Sequence, residues 1–242
     1  MRYKYDIKSG FKKLRSKTAI SAYVLSLGIA GLGSSLAFIP ALSHAASGGN
    51  QASYWHIGYY NPSGRALSES QAQSAPDGVA SLNFTNQPNT ALLTTDQKAK
   101  NPTLLGDLTG KKITLNFTIS NAGTFNYYGE GTPSNPCGTP ANTRLYFTTS
   151  NAGGFDYTHY WWSNPASFVL NNGSGSVTAT VEPAEWSDWN GQSGTVVPDG
   201  FATAASNVTE FGLSFGGGCF FENGVGTTDG SGVFTLNSYT VI

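Results

Sequence analysis

The sequence is poor in charge and in side chains that commonly do chemistry. Only 11% of its 242 residues are charged, and it holds two cysteines, three histidines and one methionine. Basic residues are especially scarce beyond residue 45, where six of them stand against 13 acidic ones, a net charge of −7. An acidic surface repels phosphate backbones, and no polybasic patch is left for a membrane surface. We therefore expect neither nucleic-acid binding nor membrane attachment outside the N-terminal segment.

Catalytic signatures are also scarce. The sequence has no H-E-x-x-H pattern and no glycine-rich phosphate loop that leads into a helix. Only His56 and His159 remain beyond residue 45. Glycoside hydrolysis needs two carboxylates at a defined separation across a cleft. Several carboxylates are available, but their spacing singles out no pair, so we expect a protein that is not an enzyme (the candidates are Glu182, Glu185, Asp188 and Glu222).

The first 45 residues have the order of an export signal. Seven basic residues precede the uncharged stretch 19–39, and Ser43-His44-Ala45 supplies a small-x-small cleavage site before Ala46. The alternative is an uncleaved anchor, because the uncharged stretch approaches the length that spans a bilayer. Residues 1–45 are thus predicted to be a signal peptide and 46–53 a flexible spacer. The protein is expected to be secreted or at the cell surface.

The remaining chain, 54–242, has the composition of one all-β domain, rich in Gly, Asn, Ser, Thr and aromatic residues. Residues 112–120 alternate strictly between apolar and polar, which predicts a strand with one buried face. The apolar phase of the last strand shifts near Asn237 and Ser238, which predicts a bulge there. Residues 168–170 and 177–181 are predicted to form a hairpin, and 61–77 a loop. Only 200–208 has helical spacing. The sequence predicts an antiparallel β-sandwich (jelly roll) of eight to ten strands.

The two cysteines, Cys137 and Cys219, both lie in glycine- and proline-rich loops. In an oxidising compartment an even pair is expected to form a disulfide. Two buried free thiols are the alternative. A zinc site is disfavoured because two thiolates alone supply too few ligands.

Two stretches resemble a known family. The turn Leu105-Gly106-Asp107-Leu108-Thr109-Gly110-Lys111 and the closing segments 211–218 and 234–236 resemble strands of galactose-binding-like jelly rolls, a group that includes many carbohydrate-binding modules. The resemblance implies the sandwich fold. It also implies a structural calcium ion as an option, although the sequence lacks a D-x-D-x-D-G run. The candidate ligands for that ion are Asp96, Asp107, Asp229 and Glu210.

The densest cluster of binding-type residues is the segment 186–192, Trp-Ser-Asp-Trp-Asn-Gly-Gln. Aromatic rings offer flat apolar faces to sugars, while amides and carboxylates hydrogen-bond hydroxyl groups. If the segment is extended, Trp186 and Asp188 share one face and Trp189 lies on the other, so one indole anchors the loop and the other is free. With Asn190 these are the primary candidates. The alternative is that both indoles cap the core and Asp188 holds the turn.

Three aromatic residues are secondary candidates. Trp161 and Trp162 are adjacent, so they must point to opposite faces of a strand; one belongs to the core, and Trp162 is taken as the binding platform. Tyr128 lies near the Cys137 loop, and a disulfide would bring Phe221 towards it. Simple packing under two long loops is the alternative.

These patterns favour an exported, non-catalytic module that binds a glycan or cell-surface polysaccharide without a cofactor. The alternative is a structural or adhesive surface protein with no small ligand, and a glycoside hydrolase comes third. A binder should expose at least two aromatic rings side by side next to amides or carboxylates, whereas a structural protein should bury them.

Overall fold

Short antiparallel strands make up most of the fold. The structure is a computed structural model that describes residues 42–45 (backbone only), 51–61, 67–97, 103–133, 135–150 and 153–242. The predictions for 1–41 and 46–50 lie outside the described residues. Within those ranges the strands and the helix are β1 (Leu42–Ala45), β2 (His56–Tyr60), β3 (Leu67–Gln71), β4 (Ala80–Asn83), β5 (Thr90–Asp96), β6 (Lys112–Ser120), β7 (Phe125–Tyr127), β8 (Asn142–Thr149), β9 (Tyr160–Ser163), β10 (Phe168–Val169), β11 (Gly173–Thr180), β12 (Trp186–Asp188), α1 (Pro198–Ala205), β13 (Val208–Gly216), β14 (Val225–Thr227) and β15 (Val233–Val241).

The strands form two antiparallel sheets that pack together. The smaller sheet has the order β1-β15-β6-β11, with β4 also paired to β15. The larger sheet has the order β12-β9-β8-β13-β5-β14-β7, while β2 and β3 extend it from β5, and β10 pairs with β8. The predicted antiparallel β-sandwich is confirmed. More strands are seen than the eight to ten expected, because several ladders are only two to four residues long.

The inner faces of the two sheets share one aromatic-rich core. Phe117 and Phe234 of the smaller sheet stack at 4.8 Å between ring centroids, and Phe215 of the larger sheet meets Phe234 edge-on at 5.4 Å. The outer face of the larger sheet carries a second buried cluster that includes Leu92, Tyr146 and Trp162. A sandwich sheet usually has one face in the core and the other in solvent. This sheet buries apolar side chains on its outer face as well, which makes that face a candidate for a site.

Several local predictions are confirmed. β6 has the expected alternation, here of buried and partly buried side chains. The register of β15 against β6 shifts between Leu236 and Ser238, where the bulge was predicted. The helical spacing of 200–208 corresponds to α1, a helix too short to cross a bilayer. Among the described residues no helix is both long and apolar enough to do so.

Two local predictions are wrong. Residues 168–169 pair with β8 in the larger sheet, whereas β11 pairs with β6 in the smaller sheet, so the predicted hairpin is a corner between sheets. The side chain of Asn172 fixes that corner by hydrogen-bonding the backbone of Ala122 in both directions. The predicted loop 61–77 contains β3, which is exposed along its whole length and therefore lacks a buried face that a pattern could reveal.

Secondary structure is present before residue 54, the predicted start of the domain. Gln51–Tyr54 form a 3-10 turn in which Ala52 is buried, and the Ala52 carbonyl accepts a hydrogen bond from Gln71 Nε2 at 2.6 Å. Residues 42–45, assigned to the end of the leader, form β1 and pair with β15 from Ser238 to Val241.

Candidate functional site

The two tryptophans of segment 186–192 have different surroundings. Trp186 is fully buried, lies 4.7 Å from Phe147 between ring centroids, and donates from Nε1 to the carbonyl of Thr180 at 2.8 Å. Trp189, beyond the end of β12, is 48% exposed. One indole therefore anchors the segment, and the other is half exposed, as was predicted for an extended segment. Trp186 cannot contact a ligand, so its place among the binding candidates is corrected.

Asp188 is likewise a structural residue. Its side chain is buried, and Oδ1 accepts hydrogen bonds from the backbone N–H groups of Asn190 at 2.9 Å and Gln192 at 2.8 Å. The carboxylate thereby closes the turn that presents Trp189 and Asn190. Its predicted role as a ligand contact is replaced by the role of holding the turn.

Trp161 and Trp162 point to opposite faces of β9, as their adjacency predicted. Trp161 lies in the main core against Phe201, at 5.0 Å between ring centroids. Trp162 lies on the outer face of the larger sheet against Tyr146, at 5.2 Å. The backbone of Trp162 is opposite Tyr146 in β8 and Ser187 in β12, so its ring is supported from both neighbouring strands.

Four of the sequence-predicted residues meet in one groove on this outer face. The groove, called here the aromatic groove, has a volume of about 560 Å³, within the range of small-ligand sites. Trp162 is its floor, with ring centroids 5.8 Å from Trp189 on one side and 6.1 Å from Phe221 on the other. The groove is lined by Tyr60, Trp162, Trp189, Asn190, Gly191, Cys219, Phe220, Phe221 and Glu222.

Tyr128 does not line this groove. Its side chain is 47% exposed, and its carbonyl accepts a hydrogen bond from Asn223 Nδ2 at 2.7 Å. Tyr128 thus supports the loop that carries Phe221 through its backbone. Its predicted role as a ligand contact is not supported by its position.

One wall of the groove is the loop 217–224, which is fastened in several ways. The disulfide Cys137–Cys219 is formed, with 5.0 Å between the Cα atoms, as predicted. The N–H of Cys219 donates to Asn135 Oδ1 at 2.7 Å, and the N–H of Gly217 to Asn223 Oδ1 at 2.8 Å. A Cβ at position 216 would lie 2.7 Å from the Phe220 carbonyl oxygen, so the loop can lie against the sheet only because residue 216 is glycine.

Arg144 holds Phe221 from below. It lies on the outer face of β8, is almost fully buried, and donates from Nη1 to the Ser163 carbonyl at 2.8 Å. Its guanidinium carbon is 4.5 Å from the Phe221 ring centroid, a cation–π contact that is strengthened by burial. Burial lowers the pKa of Arg144 because it disfavours the charged form. The alternation of β8 indicates that Arg144 lies opposite the core, but nothing local indicates its partner.

Glu222 is the carboxylate that lines the groove. The hydroxyl of Tyr60 donates to Glu222 Oε1 at 2.5 Å, which joins β2 to the loop 217–224. Tyr60 was missed by sequence reasoning, because its strand is far from the groove loops in the chain. The pKa of Tyr146 is raised well above its usual value, chiefly by burial and further by the charges of Glu210 and Glu222.

We expect the raised pKa of Tyr146 to make the fold sensitive to alkali. Because the folded-state pKa exceeds that of the unfolded chain, the folded protein keeps the phenol proton where the unfolded chain loses it. This stabilisation is complete below the unfolded pKa of about 10 and is lost as pH rises further, at up to about 1.4 kcal/mol per pH unit. Denaturant unfolding across the alkaline range should show this loss in the wild type and a shallower loss in Tyr146→Phe.

Tyr59, whose pKa is also raised by burial, accounts for a part of the alkaline loss that should persist in that variant. If the free energy of unfolding falls equally steeply with pH in the wild type and in Tyr146→Phe, the alkaline loss does not come from Tyr146. Unfolding of both proteins at neutral pH is the control for the loss of the hydroxyl itself.

The sequence interpretation that no nucleophile pattern G-x-S-x-G is present is wrong, because one match runs from Gly212 to Gly216. In hydrolases this pattern is a sharp turn between a strand and a helix. Here it lies wholly within β13, and Ser214 Oγ is buried without a hydrogen-bond partner. His56 and Asp96, 3.9 Å apart, lie on β2 and β5, and β5 separates β2 from β13. Within the described part of the chain, Ser214 Oγ therefore has no hydrogen bond to a base, and the match does not have the geometry of a nucleophile.

The four residues suggested for calcium do not converge. Asp107 Oδ1 accepts from the N–H of Thr109, and Asp229 Oδ1 accepts from the N–H and Oγ of Ser231, so each closes its own turn. Asp96 and Glu210 are opposite each other on β5 and β13. Within the described ranges, no three His, Cys, Asp or Glu side chains are grouped as a metal site would require.

Comparison with known proteins finds no match for this chain. No family model matches the chain, and no match was found among the curated proteins or the solved structures. The resemblance to galactose-binding-like jelly rolls therefore stays a prediction that depends on the quoted turns and strands. The aromatic groove is therefore the basis for the function proposed for this chain.

Proposed function

We propose that this chain is an exported, non-catalytic glycan-binding protein and that the aromatic groove is its binding site. The observation that carries the proposal is the position of Trp189, a half-exposed indole beside Asn190 and opposite Phe221 and Glu222. A flat ring with an amide and a carboxylate at its edge fits a sugar, which has an apolar C–H face and a rim of hydroxyl groups.

Charge and export signals support the same function. The net charge of −7 beyond residue 45 disfavours nucleic acid and other polyanions. The predicted leader and the disulfide fit an oxidising compartment outside the cytoplasm, where polysaccharides are abundant partners. The loop 217–224 and the turn at Asp188 hold the rings in place before binding, which reduces the entropy that binding costs.

The fluorescence of Trp189 gives a direct test. Trp55, Trp161, Trp162 and Trp186 are buried, so collisional quenching by acrylamide should report mainly on Trp189. The protein is titrated with soluble glucans, xylans, mannans and galactans, and its retention on cellulose and chitin is measured. We expect one of these to protect Trp189 from quenching, and Trp189→Ala to weaken retention by about tenfold or more.

Tyr128→Ala is the matched control, because Tyr128 has nearly the same exposure (47%) but lies outside the groove. It should bind as the wild type does. If no glycan protects Trp189 or retains the protein, the glycan proposal fails and a structural or adhesive role is favoured. If Tyr128→Ala loses binding and Trp189→Ala keeps it, the site is misplaced.

A further inference from the structure

A second set of aromatic rings, two of them exposed and one partly buried, continues from the aromatic groove. Phe155, Tyr157 and Tyr160 lie beside Trp189 but do not line the groove, and they are called here the aromatic shelf. Phe155 is 59% and Tyr157 47% exposed. The ring centroid of Phe155 is 5.7 Å from Trp189 and 5.2 Å from Tyr157, and that of Tyr160 is 5.4 Å from Trp189. Trp189 therefore belongs to both surfaces and joins them.

The turn that carries the shelf is held by several hydrogen bonds. Asp156 Oδ1 accepts hydrogen bonds from the N–H and the Oγ of Thr158, both at 2.7 Å, and the Thr158 carbonyl accepts from Trp161 Nε1 at 2.7 Å. Helix α1 lies directly against Thr158, since a Cβ at Gly200 would be 2.7 Å from the Thr158 Cβ. The exposed rings of Phe155 and Tyr157 thus flank a residue, Asp156, that is hydrogen-bonded to Thr158.

Contiguous exposed apolar surface on a soluble domain generally marks an interaction site. The carboxylate on the shelf, that of Asp156, is engaged with Thr158, and the chain beyond residue 45 is acidic overall. These charges disfavour an anionic lipid surface or an acidic polymer. The flat rings, with the amide of Asn190 next to Trp189, fit a neutral partner that is rich in hydroxyl groups and long enough to cross from groove to shelf.

We propose that groove and shelf form one elongated site that binds an internal stretch of a neutral polysaccharide chain, with sugar contacts at Phe221, at Trp189 and at Phe155, whose ring is perpendicular to that of Trp189. The inference rests on the proposed function and narrows it, because a groove alone accepts a terminal sugar or a disaccharide. Trp189 is the central contact. Phe155 and Tyr157 add contacts that only longer chains reach, and these contacts raise the affinity.

The test is the dependence of affinity on chain length. The full chain is titrated with neutral oligosaccharides derived from cellulose, xylan and mannan, each as a series from the disaccharide to the longest soluble oligomer. For the series that binds, wild-type affinity should rise with length beyond the disaccharide. The double variant Phe155→Ala/Tyr157→Ala should remove that rise, about tenfold for the longest oligomer, and leave the shortest ligand unaffected. Trp189→Ala should weaken every length, and Tyr128→Ala none.

The outcomes separate this inference from the proposed function. Binding that does not vary with length and is unchanged in the double variant overturns the elongated site, while glycan binding at the groove stands. No binding at any length overturns both. The double variant is also assayed for self-association and for binding to vesicles of zwitterionic lipid. If the shelf substitutions abolish either of these and leave glycan affinity unchanged, the shelf holds a second copy or a membrane instead, which also overturns the inference.

Discussion

Trp186→Ala is expected to lower the free energy of unfolding by about 3–5 kcal/mol, the usual cost of truncating a buried tryptophan to alanine. The indole fills core space against Phe147, and its Nε1 satisfies the carbonyl of Thr180, which the substitution leaves without that donor. The end of β12 should loosen as well, because Trp186 is the side chain that joins it to the core. Denaturant unfolding followed by circular dichroism measures the effect.

Trp189→Ala is the matched variant three residues further on. It removes the same side chain from a half-exposed position, so we expect a loss below about 2 kcal/mol, mainly from ring contacts at the surface. The two variants should therefore separate, with Trp186→Ala affecting stability and Trp189→Ala affecting binding. Equal destabilisation by both would show that Trp189 is part of the core. A mild effect of Trp186→Ala would show that β12 is not anchored by its indole.

Removal of the disulfide has the second largest expected effect. Cys137 and Cys219 are 82 residues apart, and closing a loop of that size stabilises a fold by roughly 4 kcal/mol in the chain-entropy account. The variant Cys137→Ser/Cys219→Ser should lose about that much. The hydrogen bonds from the backbone N–H of residue 219 to Asn135 Oδ1 and from that of Gly217 to Asn223 Oδ1 remain. The loop should therefore keep its place in the folded protein. In the folded variant, the free energy of glycan binding should then change much less than the free energy of unfolding.

Thermal unfolding of the wild type, with and without a reductant, completes this test. The reductant should lower the transition temperature of the wild type to that of the double serine variant, and should leave the variant unchanged. A wild type that does not respond to the reductant after unfolding would contradict the covalent link. A large loss of affinity in the folded variant would show that the hydrogen bonds alone do not hold Phe221 and Glu222 in position.

The sequence predicted best where one face of a strand is buried and the other is polar. β6 and the bulge of β15 were found because alternation records which face meets the core. β5 was not predicted, since it lies inside the larger sheet with side chains buried on both faces, and so shows no alternation. The hairpin at 168–181 was predicted wrongly because turn residues indicate a reversal of the chain but not the strand that it joins.

The candidate site was predicted only in part, because local patterns give the directions of neighbouring side chains but not the contacts between distant ones. Residues an odd number of positions apart point to opposite faces of an extended chain, so the sequence by itself determined that Trp162 faces away from Trp161. It predicted the same of Trp189 and Trp186 only if their segment is extended. It also determined the antiparallel sandwich and the cysteine pair. Only the tertiary structure decided that Tyr60 from β2, Phe221 from a loop and Trp189 share one groove, that Arg144 lies beneath Phe221, and that Phe155 extends the surface. Those contacts join residues far apart in the chain, and the order of strands that creates them follows from the packing of the whole core, which no local pattern records.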